Sequence, residues 1–156
     1  NTYGPRQSAR AVIPTVITQL LAGKEKINLG SVLPTRDFSF VEDTVNGFIA
    51  IAESDGAIGE VINIGSGFEI SIKNMVDVVA DIMGTKAVIA SDANRVRPAA
   101  SEVDRLFADI TKAKNLLNWT PTYGGLNGFH LGLERTLEWF GNPTNLSKYN
   151  SNRYVI

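Results

Sequence analysis

The stretch EVINIGSGFEISIKNMVDVVADIMG, from Glu60 to Gly84, contains the clearest change of periodicity in the chain. Its β-branched beginning, bounded by glycines, predicts a buried strand. After it the apolar residues recur at helical spacing, so Ser71 is the predicted N-cap and Gly84 the predicted end of a helix. A buried strand leading through a glycine turn into a helix is typical of an α/β fold.

The residues before this stretch show the same alternation. Val12 to Leu21 has helical apolar spacing, and Gly23 is a suitable stop. KINLG, residues 26–30, predicts a short strand. RDFSFV, residues 36–41, alternates two phenylalanines with polar residues, which predicts an extended segment with one buried face. A second helix follows, with a predicted inward face of Val45, Phe48, Ile49 and Ala52.

The residues after the stretch continue the pattern. AVIAS, residues 87–91, predicts a short strand, and Asp109 is a candidate cap for a helix that runs through Leu117. A last helix ends at Gly141, and the polar tail beyond it is expected to be irregular. The predicted inward face of this helix consists of Leu126, Phe129, Leu133, Leu137 and Phe140.

Composition limits the class of protein. The 156 residues, 44% of them hydrophobic and 20% charged, predict one domain with a real core. A net charge of -1 disfavours a nucleic-acid partner, because it offers no bulk attraction to a polyanion. The absence of cysteine removes disulfides and thiolate metal sites and is consistent with the cytoplasm. No apolar run approaches the roughly 18 residues of a membrane span, so we expect a soluble protein.

The common cofactor and metal motifs are incomplete. Gly65 and Gly67 follow the predicted strand, but the third glycine of a G-x-G-x-x-G turn would fall at Ile70. The favoured interpretation is therefore a tight turn without a bound phosphate. The sequence also lacks a P-loop, and His130 has no histidine or cysteine partner, so we predict no metal site.

Two arginines are candidates for anion binding. Arg36 precedes a predicted strand, and Arg97 lies in NRVRPAA, where Pro98 stiffens the backbone. Each is either a solvated surface charge or one of two guanidinium groups that converge on a diphosphate. Spacing alone leaves both interpretations open.

Several motifs together resemble a known family. NTYGPRQ, RDFSFVEDT, GEVINIGSG, VRPAASE and LNWTPTYGGLNGFHLGLERTLEWF follow in this order over residues 1 to about 140. They resemble the C-terminal half of the extended short-chain dehydrogenase/reductase family, which contains nucleotide-sugar epimerases and dehydratases. Within it, the chain looks most similar to NAD-dependent 4,6-dehydratases that act on nucleotide-linked N-acetylglucosamine in legionaminic-type sugar pathways.

The resemblance implies a divided protein. Residues 1–141 would form the substrate-binding lobe and residual Rossmann-like elements, and residues 142–156 a polar tail. The N-terminal dinucleotide-binding unit would lie upstream, together with the catalytic tyrosine and most of the NAD pocket. No Tyr-x-x-x-Lys pair occurs in the sequence. We therefore assign no catalytic residue to this chain, and we expect it to be inactive alone and dimeric when full length.

The resemblance also implies contacts with cofactor and substrate. Asn1 would lie between the nicotinamide end of NAD and the substrate diphosphate, and the backbone near Tyr3 would border the nicotinamide. The backbone amides of Ala11 and Val12 would approach the nucleotide at a helix start. Leu29 would line the base pocket.

The two arginines and Asp43 also take roles from the resemblance. Arg36 and Arg97 match the diphosphate-binding arginines of the family, and Asp43 would cap the following helix. Pro98 and Ala99 replace the more common Pro-Gly, so base and sugar specificity stay open.

The expected function is that of the nucleotide-sugar-binding half of a 4,6-dehydratase using a UDP- or GDP-linked sugar. A C4 epimerase or a decarboxylase of a nucleotide sugar would show almost the same motifs. A non-catalytic nucleotide-sugar-binding protein is the third alternative. Elements that normally pack on a missing sheet would expose apolar surface, which predicts oligomers or partial disorder.

Overall fold

The computed structural model describes residues 1–96 and 102–149. Short strands and helices alternate along them, which confirms the predicted α/β class. The strands are β1 (Thr2–Tyr3), β2 (Lys26–Leu29), β3 (Thr35–Arg36), β4 (Ser39–Phe40), β5 (Ile70–Ser71), β6 (Val88–Ser91) and β7 (Arg105–Leu106). The helices are α1 (Val12–Leu21), α2 (Val41–Ala52), α3 (Ile72–Ile82), α4 (Thr111–Leu117), α5 (Gly125–Gly141) and α6 (Pro143–Leu146). Among these residues no helix is long and apolar enough to cross a membrane.

The strands form three small sheets. β1 and β4 are parallel, and so are β2 and β6, in which Lys26 pairs with Val88. The third sheet has the order β5-β3-β7, with β5 antiparallel and β7 parallel to the central strand. β3 is therefore paired on both sides, which fixes the backbone of Arg36 within a sheet.

Helices α1, α3 and α5 pack together around the main core. Their buried side chains meet an aromatic group made by Tyr3, Phe38 and Phe129. The Tyr3 and Phe129 rings meet edge to face with centroids 5.4 Å apart, a favourable geometry for aromatic pairs. The N-terminal segment and α5 are thus parts of one core.

The predicted helix boundaries around this core are confirmed. The Ser71 side chain accepts a hydrogen bond from the amide of Asn74 at 3.1 Å, as an N-cap does. Gly23 and Gly84 follow α1 and α3 with φ of +72° and +62°. These values lie in the left-handed region where glycine carries no steric penalty, so both glycines end their helices.

The predicted strand at EVINIG is wrong. Residues 60–65 have no assigned strand, although Ile62 and Ile64 pack inward and Val61 is 83% exposed. The inward residues contact a second, smaller core around Ile110 and Trp119. Alternation alone predicted the direction of the side chains, but a strand also needs a ladder partner, and none is assigned in the described part of the chain.

The predicted inward face of α2 is also wrong. Val45, Phe48 and Ile49 are 49%, 68% and 49% exposed, whereas Asp43 and Gly47 are buried. The same holds at the start of α5, where Leu126 is half-exposed while Phe129, Leu133 and Phe140 are buried. The helical periodicity identified the two helices, but it did not predict which of their apolar side chains are buried.

Residues 142–149 of the tail, which was predicted to be irregular, include the short helix α6. α6 packs on α5, and the Tyr149 hydroxyl donates a hydrogen bond to the carbonyl of Gln7 at 2.9 Å. The Tyr149 ring also contacts Trp139 and Phe140. This part of the predicted tail therefore docks on the domain.

Candidate functional site

Arg36 is a buried arginine on the central strand of the three-stranded sheet. Its residue exposure is 8%. The guanidinium Nη1 donates to the carbonyl of Thr35 at 2.8 Å, and Nη2 donates to Oε1 of Glu102 at 3.0 Å. The surface-charge interpretation of Arg36 is wrong, because its charge is largely withdrawn from water and paired.

The sheet around Arg36 carries a second arginine pair on its exposed side. Arg105 on β7 donates to both carboxylate oxygens of Glu69, with Nε at 3.0 and 2.9 Å and Nη2 at 2.6 Å from Oε1. Glu69 also accepts from the Thr35 hydroxyl at 2.8 Å, and both effects lower the pKa of Glu69. This pair ties β3 to its two neighbours while its arginine stays in solvent.

Asp37 holds the loop next to Arg36 in place. Its Oδ1 accepts from the amide and the hydroxyl of Ser66 at 2.8 and 2.6 Å, and Oδ2 accepts from the amide of Ala108 at 3.3 Å. The alternation in RDFSF predicted Asp37 and Ser39 on a solvated face, but both are 5% exposed. A buried carboxylate is tolerated here because several donors satisfy it.

Asn1 lies at a shallow cleft of about 320 Å³. The cleft is lined by Asn1, Asp37, Ser39, Asn63, Ile64, Gly65, Leu106, Phe107 and Ala108. The carbonyl of Asn1 accepts a hydrogen bond from the amide of Ser39 at 3.1 Å. Asn1 is therefore bound to the backbone three residues after Arg36. Arg36 itself does not line this cleft. Asn1 and Arg36, both predicted to contact the substrate, therefore lie near one another but do not line the same cleft.

Two predicted contact residues place their side chains in the core. Tyr3 and Leu29 are 1% and 4% exposed, and the Tyr3 hydroxyl donates to the carbonyl of Phe129. Burial raises the pKa of Tyr3 strongly, with further contributions from Asp43 and Tyr123. Their contacts with cofactor and base stay predictions.

Ala11 and Val12 lie at the start of α1, as predicted. Ala11 is the N-cap residue, and no side chain caps this end of the helix. The first turn holds no acidic residue either. Amides at such an end favour negative charge, and the approach of a phosphate to this helix start stays a prediction.

Two further predicted roles have different outcomes. Arg97 lies outside the described residues. Asp43 lies within the first turn of α2 and accepts from the amides of Thr122 and Tyr123, both at 2.8 Å. Its predicted capping role is wrong, because its carboxylate instead anchors the loop before α5.

The described residues place a buried arginine, a helix start without a side-chain cap and a shallow cleft in one α/β unit. They contain no group of three or more His, Asp or Glu side chains arranged to hold a metal ion. Glu102 and Asp37 were missed in the sequence because their roles depend on contacts 66 and 29 or more residues away.

Comparison with known proteins identifies the fold. Residues 1–130 match the family model described as GDP-mannose 4,6 dehydratase. The crystal structure of UDP-glucuronic acid 4-epimerase from Bacillus cereus, in complex with UDP-glucuronic acid and NAD, matches with a TM-score of 0.78 and 31% identity. The match covers 90% of this chain and 43% of that one.

Two curated relatives give a similar result. An uncharacterized UDP-glucose epimerase of Bacillus subtilis is 36% identical over 76% of this chain and 36% of its own length. UDP-glucuronic acid decarboxylase 1 of Xenopus tropicalis is 30% identical over 99% of this chain and 34% of its own. The chain thus spans about a third of these relatives. It belongs to the GDP-mannose 4,6 dehydratase family, among the nucleotide-sugar epimerases and dehydratases of the extended short-chain dehydrogenase/reductase class.

Proposed function

We propose that this chain is the nucleotide-sugar-binding part of an NAD-dependent 4,6-dehydratase that acts on UDP- or GDP-linked N-acetylglucosamine. The observation that supports it best is Arg36, a buried guanidinium held on both sides within a sheet. The anionic ligand that we propose for this group is the diphosphate of a nucleotide sugar, as the resemblance to the family implies. We further propose that the catalytic tyrosine and most of the NAD pocket belong to a part of the enzyme outside this sequence, and that the intact enzyme is a cytoplasmic dimer.

The residues present fit only a small part of a dinucleotide site. The turn at Gly65 and Gly67 packs against Ala108 and Ile110. The amide of Ser66, between the two glycines, already donates a hydrogen bond to Asp37. The turn therefore offers no cradle for a phosphate. Asn1, which lines the shallow cleft, is the residue that would reach the nicotinamide end, with the backbone of Tyr3 beside it. When bound, NAD would accept a hydride from the sugar and return it.

The contribution of this chain is to bind and orient the substrate. A guanidinium that is already fixed loses little side-chain freedom when a phosphate binds. Binding energy from the diphosphate, remote from the reacting carbons, would then position the hexose. Arg97 is proposed as the second diphosphate ligand, Leu29 and the start of α1 as the nucleotide end of the site.

Calorimetric titration tests the binding role. We expect the chain to bind UDP-N-acetylglucosamine or GDP-N-acetylglucosamine more tightly than NAD⁺, and Arg36→Ala to weaken binding about tenfold or more, because a charged hydrogen bond is lost. Arg105→Ala removes a guanidinium from the neighbouring strand and serves as the control, with affinity within about twofold of wild type, as expected for an exposed pair. Equal losses in both variants would contradict the proposal.

An epimerase or decarboxylase is the second candidate. The relatives described as a UDP-glucose epimerase and a UDP-glucuronic acid decarboxylase favour it, because both are at least 30% identical to this chain. Mass spectrometry of the products formed by the intact enzyme distinguishes the reactions: a dehydratase product lacks one water, a decarboxylase product lacks carbon dioxide, and an epimer keeps its mass. Binding without turnover would favour a non-catalytic role.

A further inference from the structure

Glu102 is the acidic partner of Arg36, and its location makes it more than a surface charge. The two side chains are 10% and 19% exposed, and the Nη2 to Oε1 distance is 3.0 Å. In a pair that is this far withdrawn from water, the direction of the hydrogen bond matters as well as the attraction between the charges.

The contacts of Arg36 fix the orientation of the guanidinium plane. Nη1 is bound to the carbonyl of Thr35, whose own amide donates to the carbonyl of Asp104 at 2.8 Å in the sheet. Nη2 is bound to Glu102. One contact at each terminal nitrogen defines the plane, and these contacts use two of the five N–H bonds of the group.

We propose that Glu102 is a positioning residue, which orients Arg36 for the diphosphate of the substrate. The inference rests on the proposed function, since it assigns Arg36 a phosphate ligand. Glu102 also carries a negative charge, which by itself opposes a diphosphate. A positioning role therefore predicts that the orienting hydrogen bond matters more than the charge.

Two substitutions separate these effects. Glu102→Gln removes the charge but keeps an amide oxygen that can accept from Nη2, whereas Glu102→Ala removes both. We expect the alanine variant to bind UDP about tenfold more weakly than the glutamine variant, the size of one charge-assisted hydrogen bond. In an Arg36→Ala background this difference should disappear.

Glu69 provides the matched control. It pairs with Arg105 on the same sheet, at 2.6 Å, but that arginine is 63% exposed. Glu69→Ala and Glu69→Gln should bind UDP equally, to within about twofold. Thermal unfolding of all four variants reports any general loss of stability separately.

A ligand-free measurement keeps the test independent of the proposed function. Arginine side-chain NMR should show slowly exchanging Arg36 N–H signals in wild type and Glu102→Gln, and fast exchange in Glu102→Ala. Unchanged signals in the alanine variant would overturn the positioning role, as would equal UDP affinities of the two Glu102 variants. Failure of the wild-type chain to bind either UDP or GDP, with the NMR pattern as expected, would instead contradict the proposed function and leave the orienting contact established.

Discussion

At the scale of single residues, the described part of the chain satisfies its buried polar groups through contacts distant in sequence. Arg36, Asp37 and Asp43 are 8%, 5% and 1% exposed, and each is held by partners from other segments. Hydropathy predicts such residues at the surface, because burial of an unpaired charge costs several kcal/mol or more. Their partners could not be predicted from spacing, and this is why the candidate site was only partly visible in the sequence.

The Tyr3 hydroxyl gives a prediction at high pH. Its pKa is raised in the folded chain by burial, while the unfolded chain releases the proton near pH 10, that is at about the ordinary tyrosine pKa. The folded state therefore binds more protons above that pH, so its stability is full below about pH 10 and falls as the pH rises further. Urea unfolding between pH 9 and about 11 should show a smaller decrease in Tyr3→Phe than in wild type.

The control for this experiment is Tyr123→Phe, which leaves Tyr3 buried and should keep most of the wild-type decrease, because burial is the largest cause of the raised Tyr3 pKa. At neutral pH Tyr3→Phe should cost only about 1 kcal/mol, the worth of one hydrogen bond, because the ring still packs on its aromatic neighbours. Identical pH profiles for wild type and Tyr3→Phe would show that this hydroxyl does not control alkaline stability.

At the scale of elements, α5 is the helix on which the N-terminal segment depends. Gly132, in its middle, lies directly beneath the Tyr3 hydroxyl, and an added Cβ would collide with it and with Phe40. We expect Gly132→Ala to lower the free energy of unfolding by about 2 kcal/mol, through overpacking of the core. Chemical denaturation measures this loss.

Gly141 is the matched control in the same helix. A Cβ there meets no atom within 4 Å, so Gly141→Ala should be neutral or stabilising by up to about 1 kcal/mol, since alanine restricts the unfolded chain. Equal effects of the two substitutions on the free energy of unfolding would mean that the space between Gly132 and Tyr3 accommodates a methyl group.

The elements themselves were largely predictable, and their surroundings were not. Local signals sufficed for α1, α3 and β6: helical apolar spacing, Ser71 as a cap, a glycine at each helix end and a β-branched run. The strand predicted at EVINIG and the inward face of α2 failed for a different reason. Strand pairing and the burial of a helix face depend on which other segment packs against the element. The periodicity of the element's own sequence carries no information about that segment.

At the scale of the whole molecule, several large apolar side chains remain exposed among the described residues. They include Val45, Phe48 and Ile49 of α2, and Ile58 and Val61, which are 80% and 83% exposed. Exposed groups of this kind favour association, so we expect the isolated chain to form oligomers that light scattering detects. Phe48→Glu should shift the population toward monomer, whereas a substitution at Leu131, a half-exposed leucine on α5, should not. A monodisperse wild-type monomer would contradict this expectation.

The hydrogen bond from Tyr149 to Gln7 has a consequence for biosynthesis. It joins residues 142 positions apart, and the hydroxyl of Tyr3 reaches Phe129 across 126. A nascent chain leaving the ribosome therefore cannot complete the contacts of Tyr3 until α5 has emerged. Topology of this kind slows folding, because a long loop must close before its contacts form. Until α5 has been synthesised, the segment around Tyr3 thus stays open to chaperones and proteases.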